Sequence, residues 1–285
     1  MTLSIRTPTA VDAPELGRIC FEAFRAIAEA HGFPPDLPSS EVGAGAIGGM
    51  IANPRSFGVA AELDGILVGS NFLAEGDAIA GVGPITVDPA VQNDRVGRTL
   101  MDAVMERAGT KGYAGVRLVQ AGYHMRSLAL YLKLGFDVRE HLSCLQGPAI
   151  GEVMAGYVVR AATPADEAAC NALCLRVHGF ARAGELAQSV TQGAARIVER
   201  AGRITGYATQ VAFFGHAVGE TTEDIQALIC AAASIPGPGL LVPSRNGELM
   251  RWCLARGLRV IQSMTLMSTG LYSEPQGAWL PSVLY

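Results

Sequence analysis

The sequence predicts an α/β (α+β) protein made of two tandem domains of one fold, each a mixed, mostly antiparallel sheet flanked by helices. Three observations carry that expectation. An Asp64-Gly65 pair between two apolar runs supplies the positive φ angles of a tight hairpin, which marks antiparallel strands early in the sheet. Helical periods then alternate with short strands. The second half, finally, restates the first in chain order. Val159-Arg160-Ala161-Ala162-Thr163-Pro164-Ala165-Asp166 repeats Ile5 to Asp12 with arginine, threonine and aspartate in register, and Glu199, Gly202 and Gly206 repeat Glu62, Gly65 and Gly69. Ala217 to Asp224 repeats Gly81 to Asp88, and Trp252 to Leu258 repeats Leu130 to Phe136; self-similarity of this kind marks two copies of one unit. Pro148, Gly151 and Gly156 place a boundary near residues 148–157, giving domains 1–150 and 151–285.

In order, Leu3 to Thr7 reads as a strand, and Thr9 or Asp12 caps a helix over Ala13 to Ala30. His31-Gly32-Phe33-Pro34-Pro35-Asp36 ends that helix in a loop, and a second helix covers Ser40 to Ile51. Ser56 to Leu63 and Ile66 to Leu73 form the hairpin, and Ala78 to Val87 adds a third strand. Val96, Leu100, Val104 and Ala108 recur at a helical period, so Val96 to Ala108 is a helix with one buried face. Val116 to Gln120 is a strand, Arg126 to Leu134 a helix stopped by Gly135, and the chain from Phe136 a further strand.

Of the 285 residues, 49% are hydrophobic and 17% charged, the composition of a globular protein. A net charge of −4 argues against a nucleic-acid partner, because phosphate neutralisation needs clustered Lys and Arg. The N-terminus has no basic lead before an apolar run, and the longest apolar stretch, Ile225 to Ile235, is too short to span a bilayer. The expected location is therefore the cytoplasm, with no membrane partner. Six cysteines (20, 144, 170, 174, 230 and 253) have neither disulfide nor zinc spacing and read as buried free thiols, with no metal site. Assembly stays open between monomer and homodimer.

The chemistry concentrates in residues 84–136. An apolar strand, Ile85-Thr86-Val87, runs through a polar turn, Asp88 to Arg95, into a helix. Backbone N–H groups at a helix start form an anion nest, and the helix dipole adds partial positive charge there. Farther on, His124 to Phe136 carries a tyrosine, Tyr131, on a short helix. A free tyrosine has a pKa near 10 and a thiol one near 8.5, so at neutral pH the phenol keeps a proton that it can hand to a thiolate within hydrogen-bond reach.

These residues make the first half resemble a GNAT-superfamily N-acetyltransferase, and the whole chain resembles bacterial proteins with two tandem domains of that fold. The family's cofactor loop is Gln or Arg, two variable residues, Gly, one variable residue, then Gly or Ala. Gln92-Asn93-Asp94-Arg95-Val96-Gly97 matches it at Gln92 and Gly97, with Arg95 at the first glycine position. Leu130-Tyr131-Leu132-Lys133-Leu134-Gly135-Phe136 matches the family's later pattern, with His124 where Asn is usual. The resemblance covers residues 3–147 well and the remainder weakly. It implies acetyl-CoA as cosubstrate, lined by Ile85, Thr86, Val87, by Gln92 to Thr99 (Gln92, Asn93, Asp94, Arg95, Val96, Gly97, Arg98 and Thr99), and by His124, Ser127, Leu130 and Lys133. Tyr131 would stand beside the sulfur as general acid, and the strand N–H groups would face the thioester oxygen. Arg95 either distorts the cradle or contacts a phosphate, together with Arg98.

The acceptor is expected to be a small-molecule amine, held by the loop between the first two helices through Phe24, His31 and Phe33. An amine is protonated when free, and Glu75 or Asp77 is the candidate base, acting through a water. In the second copy the turn equivalent to Pro89 to Arg98 is missing after Asp224, and Cys253 takes the place of Tyr131, so that copy is expected to bind no cofactor. It would serve as a structural partner that buries the sheet edge or closes the acceptor pocket, with its tail, Tyr272 to Trp279, reaching across for that purpose. Two rivals remain: a non-catalytic acyl-CoA-binding or sensing protein, and a purely structural tandem domain.

Overall fold

The computed structural model describes residues 2–91 and 95–284. The first half runs β1 (Leu3–Arg6), α1 (Ala13–Ala30), α2 (Ser40–Ala52), β2 (Ser56–Leu63), β3 (Ile66–Ala74), β4 (Ile79–Val82), β5 (Thr86–Val87), α3 (Val96–Lys111), β6 (Gly115–Ala121), α4 (Met125–Lys133) and β7 (Asp137–Gln146). An irregular segment, 147–156, leads into β8 (Tyr157–Ala161), α5 (Glu167–His178), α6 (Ala183–Thr191), β9 (Arg196–Arg200), β10 (Arg203–Ala208) and β11 (Ala217–Gly219). The chain continues through α7 (Thr222–Cys230), β12 (Leu240–Pro243), α8 (Gly247–Ala255), β13 (Arg259–Gly270) and β14 (Ala278–Leu280). The strand expected over Ala78 to Val87 is two strands. Gly83, at φ 137, and Pro84, which has no N–H, cannot continue the ladder between them.

The repeat is visible as side-chain chemistry. Arg6 donates to Asp12 at 2.7 and 2.8 Å and to Glu62 at 2.7 Å; Arg160 donates to Asp166 at 2.8 Å through each of two nitrogens and to Glu199 at 2.8 Å. The Arg6 and Arg160 hydrogen bonds hold the Asp12 and Asp166 carboxyls well below the usual carboxylate range. Both hairpins turn through two left-handed residues, Asp64-Gly65 (φ 50 and 82) and Ala201-Gly202 (φ 51 and 72).

The two copies share a sheet instead of closing into one each. A nine-stranded sheet runs β1-β2-β3-β4-β6-β13-β7-β12, with β5 hydrogen-bonded to β3 off that path. β13 of the second half lies between β6 and β7, and β7 lies between β13 and β12, so β7 and β13 are each flanked by two strands of the other half. The five-stranded sheet β14-β11-β10-β9-β8 belongs to the second half alone. The buried face of α3 (Val96, Leu100, Met101, Val104, Ala108) packs on the first-half strands in one apolar cluster with Tyr131 and Phe136. All six cysteines are buried and free. Among the described residues no helix is long and apolar enough to cross a membrane.

Candidate active site

The site begins where two neighbouring strands part. β4 pairs in parallel with β6 only as far as Gly81↔Arg117. Past the Gly83-Pro84 break the chain re-pairs with β3, at Gly69↔Val87 and Ser70↔Thr86, while β6 continues along β13. The wedge between them is a cavity of about 570 Å³, walled by Ile85, Thr86 and Val87 on one side and Leu118 to Ala121 on the other.

The start of α3 opens onto this cavity. Arg95 is its N-cap residue, at φ 61 and ψ 3, with no side-chain cap on the first amides. Arg95 therefore adopts the left-handed conformation that a glycine would adopt most readily. Arg95, Val96, Gly97 and Arg98 line the cavity, and Arg98 also pairs with Asp102 at 2.9 Å. Thr99 does not line it; its hydroxyl donates to the Arg95 carbonyl at 3.2 Å. Gln92, Asn93 and Asp94 lie outside the described residues.

From α4, His124, Ser127, Leu130, Tyr131 and Lys133 all line the cavity, with Arg126. Burial pushes the Tyr131 phenol up to about 12, and a hydrogen bond with the Ser127 side chain offsets part of that rise. His124 is the N-cap of α4: its Nδ1 accepts from the Ser127 N–H at 3.3 Å, which requires that nitrogen to be unprotonated. Burial, then the charge of Arg126, lowers its pKa and keeps it so.

Other expected residues stand elsewhere. The Glu75 carboxylate accepts Nε and Nη2 of Arg107 at 2.7 and 3.0 Å and does not line the cavity, so the structure gives it no acceptor proton to take. Asp77 accepts the Gly184 N–H at 2.8 Å and ties the halves together. Phe24 lines the cavity, whereas Phe33 and His31 do not: Phe33 stacks on Tyr123 with ring centroids 4.4 Å apart, and His31 lies tilted against the same ring at 5.2 Å. Trp279 is buried in β14 behind the wall, packed with Phe213 and Met264, and the residues that reach the cavity are Val283 and Leu284.

Sequence reasoning missed Asp36, Gln120, Tyr123 and the second-half residues Phe213, Phe214 and Met264, all of which line the cavity. The Gln120 amide is buried and, among the described residues, neither its nitrogen nor its oxygen has a protein partner. Strand alternation within β6 was its one available signal. For the residues brought in by β13 and the β10–β11 loop the sequence carried none.

The fold is shared over nearly the whole chain by solved structures. An acetyltransferase-assigned protein from Pyrococcus horikoshii aligns over 99% of this chain and 92% of its own, with a TM-score of 0.73 and 16% identity. A GCN5-related N-acetyltransferase from Sphaerobacter thermophilus aligns over 95% and 96%, with a TM-score of 0.61 and 17% identity. At such identities the likeness is one of fold. No curated protein matches by sequence. Residues 23–136 match the profile of the acetyltransferase (GNAT) family, and most of the residues that line the cavity fall within that stretch.

Proposed function

We propose that this chain is an acetyl-CoA-dependent N-acyltransferase that acetylates the amine of a small molecule at a site in residues 1–150, while residues 151–285 bind no cofactor and complete the acceptor end. One observation carries the reading: an uncapped helix start, a strand edge and the Tyr131 phenol meet in a single cavity. The residues present suit a long thioester with a diphosphate head. The α3 amides with Arg95 and Arg98 suit the diphosphate. The edge of β5 and the Gln120 amide suit an arm that carries amides of its own. At Gly97 a Cβ would lie 3.7 Å from Val87 and 3.9 Å from Leu130, both in the cavity wall, so glycine leaves the backbone bare at that point.

Acetyl-CoA supplies an acyl group already activated as a thioester. The acceptor nitrogen forms the C–N bond as the C–S bond breaks. Tyr131 gives its phenolic proton to the sulfur, and the proton shed by the new amide nitrogen restores the phenol. A phenol near 12 is a weaker acid than a free thiol near 8.5, so transfer to a solvated thiolate is uphill. The burial that raises the phenol also raises the proton affinity of a sulfur beside it, which narrows the gap. Calorimetry with acetyl-CoA and free-thiol release across an amine panel test this. Tyr131→Phe should bind acetyl-CoA like the wild type and lose about 10²-fold or more in turnover. Full turnover in that variant removes the general acid, and no acetyl-CoA binding by the wild type removes the whole reading.

A further inference from the structure

Among the described residues, one carboxylate lines the cavity. Asp36, in the loop between α1 and α2, is partly buried and lines the cavity. Its Oδ1 accepts the Nε2–H of Gln262 at 2.9 Å. Gln262 is 2% exposed and comes from β13, the strand that the second half inserts into the shared sheet. A register shift leaves Ile261 as an extra residue between the pairs Val260↔Leu145 and Gln262↔Cys144, and a bulge of this kind re-aims the side chains beside it. The Gln262 oxygen also accepts from the Tyr123 hydroxyl at 3.4 Å, which fixes the amide's orientation with its N–H toward Asp36.

The titratable groups that feel the charge of Asp36 are Cys20, Tyr123 and Cys144. Burial first, and Asp36 second, push each of them up to about 12. All three are neutral at pH 7. Among the described residues no Lys, Arg or His forms an ion pair with Asp36. A carboxylate removed from water without a counter-charge is costly, and burial raises the Asp36 carboxyl despite the opposing Gln262 hydrogen bond. The same cavity has apolar wall residues, among them Phe24, Ile27, Leu37, Met50, Phe213 and Phe214.

On the acyltransferase reading above, we infer that Asp36, positioned by Gln262 of the second half, anchors the ammonium group of a primary amine with an apolar body and takes its proton before attack. The ammonium N–H bond breaks as an O–H bond forms on Asp36. The freed lone pair makes the C–N bond, and Asp36 returns the proton to water once product has left. Here the second half contributes a positioning residue to the first half's reaction, and the acceptor's charge is complementary to Asp36.

The probes are 2-phenylethylamine, protonated at neutral pH, and its uncharged counterpart 2-phenylethanol, titrated calorimetrically into the full chain at pH 7, with acetyl-CoA titrated separately. The wild type should bind the amine at least tenfold more tightly than the alcohol. Asp36→Asn should erase that preference at unchanged acetyl-CoA affinity, and Gln262→Leu should reduce it. In the wild type the preference should fade on acidification, as the carboxylate takes up its proton, an arm that needs no variant to fold. A wild type without the preference (including one that binds neither probe) or an Asp36→Asn variant that keeps it overturns the inference. Absent acetyl-CoA binding instead overturns the acyltransferase reading, whatever the amine does.

Discussion

Two strand edges in this molecule have the same local partners and opposite fates. β5 pairs with β3 at Gly69↔Val87 and Ser70↔Thr86, and β11 pairs with β10 at Gly206↔Gly219 and Tyr207↔Val218. Beyond β5 lies the cavity. Beyond β11 lies β14, paired at Ala217↔Leu280, Val218↔Trp279 and Gly219↔Ala278. The helices that follow differ in the same sense. α3 starts after residues 88–95 with no side-chain cap, whereas α7 starts just after Glu220 and Thr221, with Thr221 and Asp224 forming a capping box. In the second copy the chain itself occupies the places that a ligand would take in the first, the strand edge with β14 and the helix start with Asp224. Backbone groups must find partners somewhere, and in the second copy β14 and Asp224 supply them.

The largest expected effect tests whether β14 is a structural plug. Trp279→Ala should cost about 3–5 kcal/mol in urea unfolding, since the side chain is 5% exposed within an apolar cluster. Acetyl-CoA affinity of the folded variant should be unchanged, and unchanged stability would remove the plug. Two glycines sharpen the contrast. A Cβ at Gly206 would meet Val198 Cγ1 at 2.8 Å and the Val218 carbonyl at 3.0 Å, so Gly206→Ala should cost about 1–3 kcal/mol and leave acetyl-CoA affinity alone. Gly97→Val should do the reverse, with stability within about 1 kcal/mol and affinity down about tenfold by calorimetry.

Where the copies agree, variants should agree. Asp12→Asn and Asp166→Asn remove equivalent ion pairs, and their urea midpoints at pH 7 should fall alike. Both carboxyls are depressed when folded, so their contribution is present above the unfolded value near 3.9 and is lost as pH falls toward the folded one. The gap between wild type and variant should therefore close on acidification below about pH 4. The smallest effect is at Arg95. Arg95→Gly relieves a left-handed non-glycine residue, worth about 1–2 kcal/mol, against a glycine entropy cost of about 0.5–1 kcal/mol. A gain of about 0–1.5 kcal/mol is expected in unfolding, with acetyl-CoA affinity severalfold weaker if its guanidinium meets phosphate.

The repeat was legible because its marks are local. Arg160, Thr163 and Asp166 recur at the spacing of Arg6, Thr9 and Asp12, and each set makes the same bonds. The register of one later segment was not legible. The sequence repeat equates Val87 with Glu223, whereas strand pairing gives the role of Val87 to Gly219, because the second copy lacks the turn and its helix begins sooner. Glu75 drew notice by its nearness in sequence to the central strand, yet α3 brings Arg107 onto it. Asp36 was passed over as a loop residue, since what distinguishes it is a glutamine 226 residues away.

Hairpin turns, helix periods and the tyrosine on its short helix were determined by the sequence alone, because each depends on residues within a turn or two of one another. Tertiary structure decided the rest: the parting of β5 from β6, the exchange of β7 and β13 between the copies, and which carboxylate, among the described residues, lines the cavity without an ion pair. Those features follow from which distant segments satisfy a strand edge or a charge, a competition that no local pattern records.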